Sequence, residues 1–193
     1  VAHLDVGRPQ SVKAIERAMI EDKKIFLATQ KDANNDNPKE KDIYTVGTYA
    51  EIKQIMKMPN GALRILVEGL ERAEMVAYNP GADYVTVDLN FIAKPEYEKV
   101  EIEALMRSVS AYFEENIKIN KKITGDNYLN VIDIEDPERL ADGIGATLIL
   151  KIPRKQQIID TFDIKERLGL IATILAQEIE VLKTEKKIDY MVK

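Results

Sequence analysis

Very few side chains in this sequence could make or break covalent bonds. Its 193 residues include one histidine, His3, and no cysteine. Thiol nucleophiles, thiolate metal sites and disulfides are therefore excluded, and an imidazole base exists at one position only. Serine occurs at Ser11, Ser108 and Ser110. A serine nucleophile needs a base beside it; Ser11 reads instead as the N-cap of a helix, and Ser108 and Ser110 as positions on an amphipathic one. None of the nine glycines precedes a lysine, which removes the loop that cradles nucleotide phosphates. Gly143 and Gly145 begin like a dinucleotide fingerprint, but Leu148 stands where its third glycine belongs; a close helix contact is the simpler reading. Asp133, Glu135 and Asp136 could offer carboxylates to a metal, yet a helix end followed by a new cap explains them more cheaply. No catalytic, nucleotide-binding or metal residue and no cofactor is expected of this chain.

Composition bounds the rest. Hydrophobic residues make up 45% and charged residues 32%, the balance of a globular protein long enough for one large or two small cores. No apolar run approaches the ~20 residues that span a bilayer, and no secretory signal is visible. The lack of cysteine suits a reducing cytoplasm, the expected location. Net charge is -5, which argues against nucleic acid, because phosphate recognition concentrates Lys and Arg on one face. The sequence opens on Val1 inside the strand-like "VAHLDV" and is still helical in pattern at its end, so a piece of a longer protein is expected.

The dominant period is two up to about Lys94 and 3.6 after Pro95, which predicts an α+β chain with a β-rich lobe over 1–95 and a helical lobe over 96–193. In the first lobe "SVKAIERAMIED" is a helix and "KKIFLATQ" a strand, followed by the polar loop "KDANNDNPKEKD". In "DIYTVGTYAEIKQIMKMPNGALRILVEGLERA" (42–73) Tyr44, Val46, Thr48, Ala50 and Ile52 face one way and Glu51, Lys53 and Lys57 the other, and Asn60-Gly61 fits a tight hairpin in which both tolerate positive φ. Gly47 and Gly69 inside strand patterns mark bulges or bends that curl a sheet. In the second lobe Ile102, Leu105, Met106, Val109, Phe113 and Ile117 form one helical stripe. Asp136-Pro137, Pro153 and Asp163 each open a helix, and the last helix, from about 163 to 193, is long enough for its far end to project.

With chemistry excluded, apolar surface remains. Ile55 interrupts the polar face of its strand, and Met56, Met58 and Pro59 crowd the hairpin tip; methionine adapts to irregular apolar partners. These four are the candidate polypeptide-binding residues. Leu168, Ile171 and Leu175, repeating along the last helix, are the candidate self-association residues.

The order "HLDVGRPQSVKAIERAM", "KKIFLATQ", "YTVGTYAEI", "NG" and "RILVEGLERA", with "DIEDPERLAD" and "DIKERLGLI...EIEVLKTEKKI" further on, resembles the amino-terminal domain of Lon, the ATP-dependent bacterial protease, of Bacillus type, over nearly the whole chain. The resemblance implies a PUA-like curled antiparallel β domain, then a helical bundle whose last helix leads toward an AAA+ ATPase module. The family's ATP- and Mg2+-dependent unfolding, its Ser-Lys protease and its hexamer are implied for the full-length parent. The family's first strand, ahead of "HLDVGR", is not in this sequence. The implied role here is non-catalytic: recognition of unfolded or damaged proteins, and assembly. Alternatives are an element that chiefly oligomerises, as a dimer in isolation, or, since PUA-like folds also serve RNA, an RNA-binding module.

Overall fold

The computed structural model describes residues 1–123 and 125–193. The chain forms two compact units, Val1–Ala93 and Lys94–Lys193.

The first unit is one antiparallel sheet with a helix. Strands β1 (Ala2–Val6), β2 (Lys24–Leu27), β3 (Val46–Lys57), β4 (Leu63–Pro80) and β5 (Val85–Phe91) accompany helix α1 (Pro9–Ile20). The order is β1-β4-β3-β2, with β5 also paired to β4. The long β4 serves both: β1 lies along Leu63–Val67 and β5 along Ala73–Pro80, on the edge away from β3. Register shifts between Tyr49 and Ala50, between Ile52 and Gln54, and between Met75 and Ala77 bend and twist the strands, so the sheet curls into a half-barrel. Ala50, Ile52, Leu63, Ile65 and Val67 pack with Ile15 and Ala18 of α1 in its core.

Local chemistry sets the details. Helix α1 begins at Pro9, with Arg8 at the N-cap and no side-chain cap, so Ser11 lies inside the helix and does not cap it. Proline fits the first helical position, where its missing N–H costs nothing. Gly69 sits at a bulge as anticipated, opposite Ala50. Gly47 has another role: a Cβ there would overlap the carbonyl oxygen of Leu27, so it allows β2 to lie close against β3. The hairpin also departs from the two-residue form. Met58 N–H donates to Ala62 O at 2.8 Å, Gly61 N–H donates to Met58 O at 3.1 Å, and only Gly61 has positive φ, +85°. The geometry is a type I turn with Pro59 at its second position and a left-handed glycine after it.

The second unit is a bundle of α2 (Lys99–Ile119), α3 (Gly125–Ile132), α4 (Pro137–Thr147), α5 (Ile152–Asp160) and α6 (Ile164–Val192). Asp136 caps α4 by accepting from Arg139 N–H at 3.0 Å, and Asp163 caps α6 by accepting from Lys165 N–H at 2.9 Å. Ile102, Val109 and Phe113 of α2 meet Leu140 and Ile144 of α4 and Ile164, Leu168, Ile171 and Leu175 of α6. Arg167, buried at the α5–α6 junction, donates to Thr161 O at 2.8 Å and Phe162 O at 3.3 Å and faces Asp142. It thereby satisfies carbonyls that the end of α5 leaves open. From Lys183 onward every residue of α6 is exposed.

Candidate functional site

The candidate residues at the hairpin divide. Ile55 is half-buried against the core of the β unit, because the bulge between Ile52 and Gln54 adds one residue to β3 and turns its side chain from the polar to the apolar face. It packs with the apolar residues under the sheet. Met56, its neighbour on the other face, is 60% exposed and stands opposite Arg64. Arg64 donates to Asp5 at 2.8 Å, and that hydrogen bond holds the Asp5 carboxyl below its ordinary range. Met58 is half-buried, and Pro59, Asn60 and Gly61 are exposed. The tip is thus small, apolar at Met56 and Pro59, with an ion pair at its side. Leu70 and Val76 are exposed at two other bulges of the same sheet.

The residues expected on a self-association face are elsewhere. Leu168, Ile171 and Leu175 are each 0% exposed and fill the interior of the bundle. Their spacing marked an apolar face correctly, but the face belongs to the fold, since the shorter helices cover it.

A different face of α6 is open. Ile174, Val181 and Ile188 recur every seven residues and form, with Ile149 and Leu150 from the short connection between α4 and α5, the apolar floor of a groove of about 950 Å³. Ile174 anchors the floor in the core, whereas Val181 and Ile188 are 51% and 54% exposed. Lys151 and Arg154 line it from the start of α5, and Glu178, Glu180 and Glu185 from α6. Arg154 is held in place by donating to Gln157 at 2.6 Å and to Gln177 at 3.3 Å. The seven-residue repeat was available in the sequence; the loop residues that complete the groove become neighbours only through the α4–α5 turn.

Asp136 is engaged as a helix cap, and Gly143 and Gly145 rest beside Val131 and Ile134 and beside Ile158, in ordinary packing. His3 is exposed on β1. Among the described residues no cluster of ligating side chains converges on a common point, and none of the helices is long and apolar enough to cross a membrane.

Residues 1–177 match the family model described as the ATP-dependent protease La (LON) substrate-binding domain. All of the chain aligns with Lon protease 1 of Bacillus subtilis at 50% identity and with Lon protease of Escherichia coli at 39%, covering 25% of each. The chain therefore spans about a quarter of the length of the relatives it matches. The N-terminal domain of a Mycobacterium avium complex Lon protease superposes with a TM-score of 0.67 at 22% identity, over 91% of this chain and 90% of that one. The Lon N-terminal domain protein of Xanthomonas campestris gives 0.56 at 11% identity, over 89% and 88%; at such identities the likeness is one of fold. The chain belongs to the Lon substrate-binding domain family, whose model its residues 1–177 match.

Proposed function

We propose that the chain receives non-native polypeptide for a Lon protease by seating apolar segments in the α5–α6 groove, with Met56, Met58 and Pro59 of the hairpin tip as a second contact. The observation that carries this reading is the exposed Val181–Ile188 floor with charges of both signs at its rim. Unfolded chains share exposed apolar side chains and little else, so a receiver gains from an apolar floor and a rim without a single preferred charge. Seating one such side chain contributes roughly 1.5–3 kcal/mol before the cost of ordering the segment. In this reading the ATP- and Mg2+-dependent unfolding and the Ser-Lys cleavage belong to other parts of a hexameric, cytoplasmic protein; no Gly-Lys step is present here to hold phosphates.

The test compares Val181→Glu/Ile188→Glu and Met56→Ser/Met58→Ser with the unaltered chain, measuring affinity for a reduced and alkylated, permanently unfolded polypeptide. The groove pair is expected to lose at least about tenfold, some 1.4 kcal/mol, and the tip pair less. Unchanged affinity in both overturns the reading. The seven-residue repeat of Ile174, Val181 and Ile188 favours a second reading, in which the groove takes a helix from another copy. Sedimentation over a wide concentration range decides it, since a monomer throughout removes self-association through this face.

A further inference from the structure

We infer that the hairpin tip is a site of spontaneous covalent modification: Asn60 loses its side-chain amide through attack by the backbone nitrogen of Gly61.

Three asparagines form the same local turn, each accepting a hydrogen bond at Oδ1 from the backbone two residues on. Asn35 accepts from Asn37 N–H at 3.0 Å, Asn60 from Ala62 N–H at 3.1 Å and Asn120 from Lys122 N–H at 3.0 Å. That bond spans the intervening residue and holds the side-chain amide against the backbone of the turn. It also polarises the carbonyl. What differs is the residue that supplies the nitrogen: Asp36 after Asn35, Lys121 after Asn120, and Gly61 after Asn60. A side chain on that residue hinders approach to the nitrogen. Gly61 has none, and the space its Cβ would occupy is empty to 4 Å. Burial separates them too, as Asn120 is buried, Asn35 half-buried and Asn60 exposed. The Gly61 N–H itself donates to Met58 O, at an exposed hairpin end where local opening is least costly.

The reaction balances without oxidant or cofactor. Solvent base removes the Gly61 amide proton, and the nitrogen bonds to Cγ of Asn60. The Cγ–Nδ2 bond breaks, and Nδ2 takes up a proton and leaves as ammonia. Water then opens the five-membered imide. Breaking its bond to Cγ gives aspartate; breaking its bond to the main-chain carbonyl carbon gives isoaspartate. Either product adds a negative charge beside Met56, Met58 and Pro59, and isoaspartate also inserts a methylene into the backbone of a turn closed by Met58 N–H to Ala62 O.

The experiment ages the intact chain in mildly alkaline buffer and follows each asparagine by peptide mapping, with isoaspartyl methyltransferase labelling to identify the branched product. Asn60 is expected to lose its amide several-fold faster than Asn35 and Asn120 and to give both products. Retention at Asn60 for as long as at Asn35 overturns the inference. The consequence for polypeptide binding rests on the function proposed above, and Asn60→Asp tests it separately: weaker, salt-sensitive binding of the unfolded polypeptide supports the tip as a contact. Unchanged binding removes that contact while leaving the chemistry at Asn60 standing.

Discussion

Ile55 stands opposite Ile65 in the β3–β4 ladder, and the two share the core that lies against α1. Met56, one residue on, points away from that core and faces Arg64 across the strands. Adjacent apolar residues thus have different work. Ile55→Ala is expected to lower the unfolding free energy by about 2 kcal/mol, the low end for a large aliphatic residue because the site is only half-buried. Met56→Ser should stay within about 0.5 kcal/mol. Urea unfolding of the two variants checks this, and equal losses would contradict the assigned faces.

Gly47 lies where the backbone of β2 comes closest to β3. Gly47→Ala drives a methyl group into the Leu27 carbonyl, and backbone cannot swing aside as a flexible side chain can. A loss of about 1–3 kcal/mol is expected, read as a lower urea midpoint. Gly169→Ala on α6, where nothing lies within 4 Å of the added Cβ, should instead be neutral or stabilising by up to about 1 kcal/mol.

Arg167 joins α6 to the end of α5 and to α4. Arg167→Met preserves the apolar stem but abandons the carbonyls of Thr161 and Phe162 and the carboxylate of Asp142. The expected cost is roughly 2–4 kcal/mol, seen in thermal unfolding as a shift confined to the helical unit. No shift would mean that water replaces the guanidinium without penalty.

The Asp5–Arg64 pair gives the β unit an acid-sensitive strut. Hydrogen bonding to Arg64 lowers the Asp5 pKa below 3.8, so folding favours the ionised carboxylate. The contribution is present above the unfolded value and is lost as pH falls through the lower folded one. Asp5→Asn should therefore reduce stability at neutral pH and flatten the fall that sets in as pH drops to and below the ordinary aspartate value of about 3.9. Both Asp5 and Arg64 are exposed, so high salt should shrink the difference. An unchanged acid slope in the variant contradicts the assignment.

Much of this architecture is legible in the residues. The change of period near Lys94, the stripe on α2 and the caps at Asp136 and Asp163 are local signals, and each specifies its element through nearby backbone and side-chain geometry. Non-local placement is harder to read. The bulge that turns Ile55 inward depends on pairing with β4, a partner ten residues away, and alternation alone assigns that side chain to the wrong face. The interior position of Leu168, Ile171 and Leu175 follows from coverage by α2 and α4; a helical stripe shows that a face is apolar, not what covers it. The groove combines both cases, because its floor on α6 is periodic in sequence while Ile149 and Leu150 reach it only through the turn between α4 and α5.

The most direct test follows backbone amide signals of the chain by NMR while a reduced and alkylated polypeptide is added, and repeats the titration with the same polypeptide in its native, disulfide-bonded state. The account predicts shifts clustered at Lys151, Val181 and Ile188, with a smaller set at Met56 and Met58, produced by the unfolded form and not by the native one. Shifts absent from the groove, or equal shifts with both forms, would contradict it.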